Sequence, residues 1–188
     1  MQKLIPLGGV WTTTGKALVL SSGMLAMAVV SVDGEARRAG RLEQPMKAGP
    51  AFLNAARFSL GLFLLLTGIQ HFLFTTFVAS LIPAWFPGDP VRWTYFAGVA
   101  LISGGIGLLI PLTARLAALF SGLMVFSWFW IVHIPRTLSS VSDGIAVFEA
   151  LAVAGIAFVI AGSSRHVTAT SGSRAASVTR ESDRYTQA

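Results

Sequence analysis

Four long apolar runs between residues 51 and 162 limit the folds that this chain can adopt. They cover about 52–74, 93–110, 114–133 and 144–162, and proline, glycine and single charged residues separate them. Each run can cross the roughly 30 Å hydrocarbon core of a bilayer, because an α-helix rises about 1.5 Å per residue. The pattern predicts an all-α integral membrane protein built on a four-helix transmembrane bundle.

The composition excludes an ordinary soluble domain. Hydrophobic residues make up 54% of the 188 residues and charged residues only 12%, whereas a soluble domain has roughly 25% charged residues. Cysteine is absent, so the chain has no disulfide, no thiolate nucleophile and no Cys-ligated metal. The net charge of +6 comes from basic residues that flank the apolar runs. This distribution indicates a membrane surface with anionic lipid rather than nucleic acid.

The flanking charges predict the orientation of the bundle. Ten of the 14 Lys and Arg residues fall at one face of a four-helix bundle, namely Arg37, Arg38, Arg41, Lys47, Arg57, Arg115, Arg165, Arg174, Arg180 and Arg184. The positive-inside rule predicts that this face is cytoplasmic. The opposite face carries aromatic residues typical of an interfacial belt: Trp85, Trp93, Tyr95, Trp128 and Trp130. We therefore expect a cell (inner) membrane protein in which both ends of the four-helix core are cytoplasmic.

The two ends of the chain differ from its centre. In residues 1–50, the apolar stretch 17–32 is short for a span and close in length to the apolar core of a signal peptide. It is compatible with a short extra helix, a signal-like segment, or a disordered extension upstream of a translation start at Met46. Residues 163–188 are rich in Ser, Thr and Arg, which predicts a disordered basic tail. The membrane domain is expected at 51–162.

The connection between the first two runs is unusually apolar. Residues 81–90 read LIPAWFPGDP, which is too rich in proline and apolar side chains for a hydrophilic loop. We expect this segment to lie on the outer membrane surface and to cover the mouth of the bundle with Trp85 and Phe86 as a lid. Simple anchoring of the loop at the interface is the alternative.

Three titratable side chains are expected near the aromatic face. His71 lies in the last turn of the first run, His133 ends the third, and Glu149 lies about 7–8 Å into the fourth. An ionisable side chain inside a membrane usually faces the bundle interior and finds a partner, so we expect Glu149 to pair with one of the histidines. Together with Gln70 they form a candidate ligand-binding or proton-relay cluster. A structural role in fixing helix register is the alternative, and no catalytic residue is assigned.

The order of several short motifs carries a family resemblance. The motifs are GIQHF at 68–72, IPAWFPG at 82–88, a glycine-rich second run at 98–107, Pro111 followed by Arg115, HIPR at 133–136 and FEAL at 148–151. Over about residues 54–162 the chain resembles the DoxX family of small bacterial and archaeal membrane proteins. The resemblance implies a four-helix fold and a link to quinol or thiosulfate:quinone oxidoreduction, or to oxidative-stress assemblies, although most relatives have no assigned activity.

The same resemblance bears on the candidate site. His71, His133 and Glu149 match positions at which we expect the family's polar residues. Leu101 is a departure, because relatives often carry an acidic residue at this place in the second span. A mechanism that depends on that carboxylate is therefore not expected here.

Two classes of function are compatible with these residues. One is an accessory or quinone-interacting component of a membrane redox complex, with a quinone as the candidate cofactor. The other is a non-enzymatic scaffold or small-solute carrier, alone or as a homo-oligomer. Haem ligation by His71 and His133 is disfavoured, because it needs facing rings at matching depth, and a metal site is not assigned. We expect contact with the lipid bilayer, no nucleic acid partner and no autonomous enzyme activity.

Overall fold

The regular structure is entirely helical in the residues that the computed structural model describes, which are 4–40, 49–139 and 144–163. The helices in chain order are α1 (Leu4–Arg38), α2 (Gly49–Leu73), α3 (Thr75–Ala79), α4 (Pro90–Leu109), α5 (Ala114–Trp128), a π-helical turn (Phe129–His133), α6 (Ile134–Ser139) and α7 (Gly144–Ser163). The prediction of an all-α chain is confirmed. The tail that we predict to be disordered lies outside the described residues, apart from Ser163 at the end of α7.

Five segments in these residues are long and apolar enough to cross a membrane, judged by length and composition: Val10–Ala36, Gly49–Leu73, Pro90–Leu109, Ala114–Leu138 and Gly144–Ser163. The last four correspond to the four apolar runs of the sequence. The first is additional, so the predicted count of four helices is not confirmed. The helices are compatible with an integral membrane protein in contact with lipid.

The additional helix, α1, is longer than the apolar stretch at 17–32. It continues through Asp33 and Glu35 to its last residue, Arg38. Charged side chains are tolerated at such a helix end because they can extend to the membrane surface. The middle of the helix is packed into the bundle, since Val19 is fully buried and Ala26 is 1% exposed.

Small residues bring the long helices close together, as is common in membrane bundles. The contacts between successive helices are Gly15 with Phe63 (α1 and α2), Gly61 with Gly105 (α2 and α4), Gly107 with Ala117 (α4 and α5) and Gly122 with Ala157 (α5 and α7). The fifth long helix, α7, also packs against α1, because Gly23 of α1 lies directly against Ile156 of α7. These contacts close the five long helices into one bundle.

The bundle has two chemically different ends, because successive long helices run in opposite directions. The basic end holds Arg38, Arg57 and Arg115, near the end of α1 and the starts of α2 and α5. The aromatic end holds Trp93 at the start of α4 and Trp128 at the end of α5.

The loop before α4 is fixed by local hydrogen bonds at the aromatic end. Asp89 caps α4 by accepting a hydrogen bond from the backbone N–H of Val91, and Pro90 occupies the first helical turn. The indole N–H of Trp93 donates to the carbonyl of Pro87 at 2.7 Å. Gly88 allows the chain to turn between Pro87 and Trp93, because its φ of 94° lies in the left-handed region that favours glycine.

Candidate functional site

A partly enclosed cavity of about 690 Å³ lies at the aromatic end, and all five long helices contribute to its wall. Most of the lining side chains are apolar. The polar lining residues are Thr12, Thr13, Lys16, Thr67, Gln70, His71, Thr94, His133 and Glu149. A mostly apolar cavity of roughly 300–1,000 Å³ with a few convergent polar groups is the usual form of a small-molecule site.

The four polar residues singled out in the sequence all line this cavity. Gln70 and His71 come from the last turns of α2, His133 from the π-helical turn, and Glu149 from the second turn of α7. The antiparallel order explains their meeting, because the end of α2, the end of the α5 region and the start of α7 all lie at the aromatic end. The structure thus places the four residues around one space.

The ring of His71 has a defined orientation. Its Nδ1 lies 2.7 Å from the carbonyl oxygen of Thr67, one turn earlier in α2. Because a carbonyl oxygen can only accept, Nδ1 carries the proton and donates it. In the neutral ring, Nε2 is then left with an unprotonated lone pair. The backbone of α2 at His71 lies close to α4, since a Cβ atom added at Gly98 of α4 would lie 3.1 Å from the Cβ atom of His71.

Glu149 is paired with Lys16 instead of the histidine partner expected from the sequence. The ammonium group of Lys16 donates to Oε2 of Glu149 at 2.5 Å, and the two side chains are 32% and 26% exposed. The expectation overlooked Lys16 because α1 was not assigned to the bundle. The ion pair joins α1 to α7 in the wall of the cavity.

The first helix also supplies neutral polar groups to the cavity. The hydroxyl of Thr12 donates to the side-chain carbonyl of Gln70 at 3.0 Å, which links α1 to α2. Thr12 and Lys16 are four residues apart and therefore share one face of α1. Sequence reasoning missed these residues, although the spacing of polar side chains at the start of an otherwise apolar helix is a signal that could have found them.

His133 is positioned by an irregular turn of helix. The backbone N–H of Ile134 donates to the carbonyl of Phe129, five residues earlier, which defines the π-helical turn. Pro135 gives a physical reason for this turn, because a proline ring clashes with the carbonyl four residues earlier in a regular α-helix. The wider turn brings Val132 and His133, which are adjacent in the chain, into the cavity wall together.

The predicted lid residues lie beside the cavity. Trp85 is 64% exposed, and Phe86 packs its ring against Trp93 at 5.1 Å and Trp128 at 6.3 Å between centroids. Both of those tryptophans line the cavity. Phe86 therefore supports the wall from behind, and the direct lining on this side comes from α3 and its flanking residues: Phe74, Phe77, Val78, Leu81 and Ile82.

The titratable side chains of the described residues do not form a metal site. Within 4–40, 49–139 and 144–163, no three His, Asp or Glu side chains are grouped so that they could hold a metal ion. The polar groups of the cavity are instead spread around an apolar space. This arrangement suits an organic ligand with polar atoms at separate positions.

Comparisons with known proteins give one family. A family described as a domain of unknown function, DUF8561, matches residues 60–161. No curated protein and no solved structure gives a significant match. The matched segment includes Gln70, His71, His133 and Glu149, whereas Lys16 lies before it. Because the match covers more than half of the chain, this protein belongs to the DUF8561 family.

Proposed function

We propose that the cavity binds an amphipathic ligand of the quinone class, and that the protein is an accessory or quinone-interacting component of membrane redox chemistry. The observation that carries this proposal is the convergence of Gln70, His71, His133 and Glu149 on one apolar cavity. A quinone has an apolar tail and a flat ring with polar oxygen atoms. Such a molecule matches both the apolar lining and the separated polar groups.

The lining offers suitable contacts for each part of the ligand. Aromatic side chains of Phe63, Phe74 and Trp93 provide flat apolar surfaces for a ring or a tail. His71 and Lys16 provide hydrogen-bonding groups from two different helices. The proposal assigns binding and positioning to these residues, and it assigns no catalytic step to the isolated chain.

The resemblance to the DoxX family supports the same proposal, because that family is linked to quinol and quinone chemistry. The distribution of charge supports an orientation in which the basic end is cytoplasmic. In that orientation the cavity lies in the outer leaflet of the cell membrane, and the N-terminal half of α1 lies on the outer side. A quinone dissolved in the bilayer could then enter from the lipid.

The interior below the cavity favours a binding site over a path for a small solute. Leu64 and Leu101 line the cavity and are nearly buried, at 1% and 6% exposure. Toward the basic end, Leu60 and Leu108 are fully buried. These side chains fill the space between the helices, so a carrier would have to repack this layer to pass a solute.

The proposal is tested with the full chain purified in detergent. Solvent extraction and mass spectrometry should find a quinone near one molecule per protein, and a short-chain quinone analogue should quench tryptophan fluorescence saturably. Lys16→Met should weaken binding of the quinone analogue, because it removes a hydrogen-bond donor from the cavity wall. Glu149→Gln should also weaken it, because it removes the carboxylate that positions Lys16. Ser127→Ala is the control, because Ser127 is exposed and donates to the carbonyl of Leu123 in its own helix.

The absence of a bound quinone would overturn the proposed function. Only bulk phospholipid in the extract, together with unsaturable quenching that is the same in every variant, would overturn the proposed function. The scaffold reading would then be the better account of the bundle.

A further inference from the structure

We infer that the cavity distinguishes the two redox forms of its ligand and prefers the hydroquinone, because His71 presents a hydrogen-bond acceptor to it. This inference rests on the proposed function, since it specifies which form of a quinone-class ligand the site holds. It concerns binding alone and requires no electron transfer within the chain.

The hydrogen bonds around His71 determine which ring nitrogen faces the ligand. The Nδ1–H is used by the carbonyl of Thr67. The hydroxyl of Thr75 donates to the backbone carbonyl of His71 and leaves the ring untouched. Among the described residues no hydrogen-bond donor is placed on Nε2, while His71 is part of the cavity lining. Nε2 is therefore the ring atom available to a ligand.

The neutral ring makes Nε2 an acceptor, and this has a direct chemical consequence. A positive charge inside a membrane span is costly, so the apolar wall favours the neutral imidazole. A quinone carbonyl can only accept hydrogen bonds, so it would leave Nε2 unsatisfied. A hydroquinone hydroxyl can donate to Nε2, which makes a hydrogen bond that the oxidised form lacks.

The other groups with known hydrogen bonds do not reverse this preference. The ammonium group of Lys16 can donate equally to a carbonyl oxygen or a hydroxyl oxygen, so it does not separate the two forms. The hydroxyl of Thr94 already donates to the carbonyl of Pro90, and that of Thr12 already donates to Gln70. The carboxylate of Glu149 is a second acceptor in the wall, but it already accepts from Lys16. We therefore assign the discrimination to Nε2 of His71.

The experiment compares both redox forms of one short-chain analogue on the full chain in detergent, under anaerobic conditions, by calorimetric titration. The hydroquinone should bind roughly tenfold more tightly, which is the effect of about one additional hydrogen bond. The dimethyl ether of the same hydroquinone has no donor, and it should bind no more tightly than the quinone. This probe separates hydrogen-bond donation from ring electronics.

A matched pair of variants assigns the preference to one residue. His71→Phe keeps an aromatic ring but removes the acceptor, and it should bring the two affinities within about twofold of each other. His133→Phe changes the other histidine of the cavity and should retain the preference. A preference that survives in H71F, or is lost only in H133F, would contradict the assignment.

The outcomes separate this inference from the function on which it rests. Tight binding of both forms with equal affinity, or with the quinone favoured, would overturn the inference and leave the proposed function standing. Binding of neither form to the wild-type protein would overturn both. These comparisons use the wild-type chain, so they do not depend on the folding of any variant.

Discussion

The ion pair between α1 and α7 provides a quantitative test of the five-helix arrangement. Lys16→Met removes the cation but keeps a long side chain, and it leaves the carboxylate of Glu149 unpaired in the cavity wall. Exposed ion pairs contribute about 0.2–1 kcal/mol, whereas breaking a buried pair costs about 3–5 kcal/mol. With side chains 32% and 26% exposed, the pair lies between these limits. We expect Lys16→Met to lower the free energy of unfolding by about 1–3 kcal/mol.

The assay is a double-mutant cycle on the detergent-solubilised protein, with unfolding followed by circular dichroism. Lys16→Met and Glu149→Gln should each destabilise the protein, and the double variant should lose less than the sum of the two. The exchanged pair Lys16→Glu with Glu149→Lys should recover part of the loss. Additive effects, and no recovery in the exchanged pair, would refute the contact between α1 and α7.

A second ion pair in the same chain is the matched control. Arg92 Nε lies 3.8 Å from Asp89 Oδ2, and the two side chains are 89% and 51% exposed. Solvent screens such a pair, so Arg92→Met should change stability by less than about 0.5 kcal/mol. A loss as large as that of Lys16→Met would mean that removal of any cation destabilises the protein, regardless of its partner.

Three further predictions concern packing around α1, the cavity and the π-helical turn. Gly23→Ala should lower the melting temperature, because a Cβ atom at this position overlaps the side chain of Ile156 in α7, whereas Gly34→Ala should not, because nothing lies within 4 Å of its Cβ position. Equal melting temperatures of the two variants would contradict the close packing of α1. Ala97→Leu should fill part of the cavity and weaken binding of a quinone analogue, whereas Ala100→Leu, which lines the small groove between α4 and α5, should leave binding unchanged. Equal affinities of the two variants in a titration would contradict the proposed position of the ligand. Pro135→Ala should permit a regular α-helix at the π-helical turn and weaken ligand binding without loss of helicity in circular dichroism. An unchanged affinity would mean that the π-helical turn does not position the cavity wall.

Much of the bundle follows from physical constraints that act on single helices. A span must satisfy its backbone hydrogen bonds internally and must be long enough to cross the bilayer, so the runs at 52–74, 93–110, 114–133 and 144–162 indicated helices with little ambiguity. Their antiparallel order follows from short connections. The same order placed His71, His133 and Glu149 at one end, because each lies near a helix terminus at that end.

The first helix was harder to assign, because the sequence pattern there is weaker. The apolar stretch 17–32 is short for a span, and threonines and Lys16 precede it. Helix α1 extends beyond the stretch because polar side chains at its start find partners in the bundle, as Thr12 does with Gln70 and Lys16 does with Glu149. Such partners lie more than 50 residues away in the chain, and local periodicity contains no information about them.

Two local features of the cavity wall could not be predicted from the sequence pattern either. The short helix α3 covers the cavity side that we assigned to Trp85 and Phe86, and five residues give too little periodicity to recognise a helix. The π-helical turn depends on how the backbone relieves a proline clash, which hydropathy does not describe. The polar cluster itself could be anticipated, but its wall and its ion-pair partner required the tertiary structure.

The most direct test of the account is to find where a quinone-class ligand sits in the protein. A short-chain azidoquinone is photolysed with the full chain in detergent, and the labelled peptides are identified by mass spectrometry. We expect labelling of cavity residues such as Phe63, Trp93 and Met124, and we expect unlabelled hydroquinone to suppress it. Labelling that is confined to lipid-facing side chains such as Phe120, and that excess hydroquinone does not reduce, would contradict a binding site in this cavity.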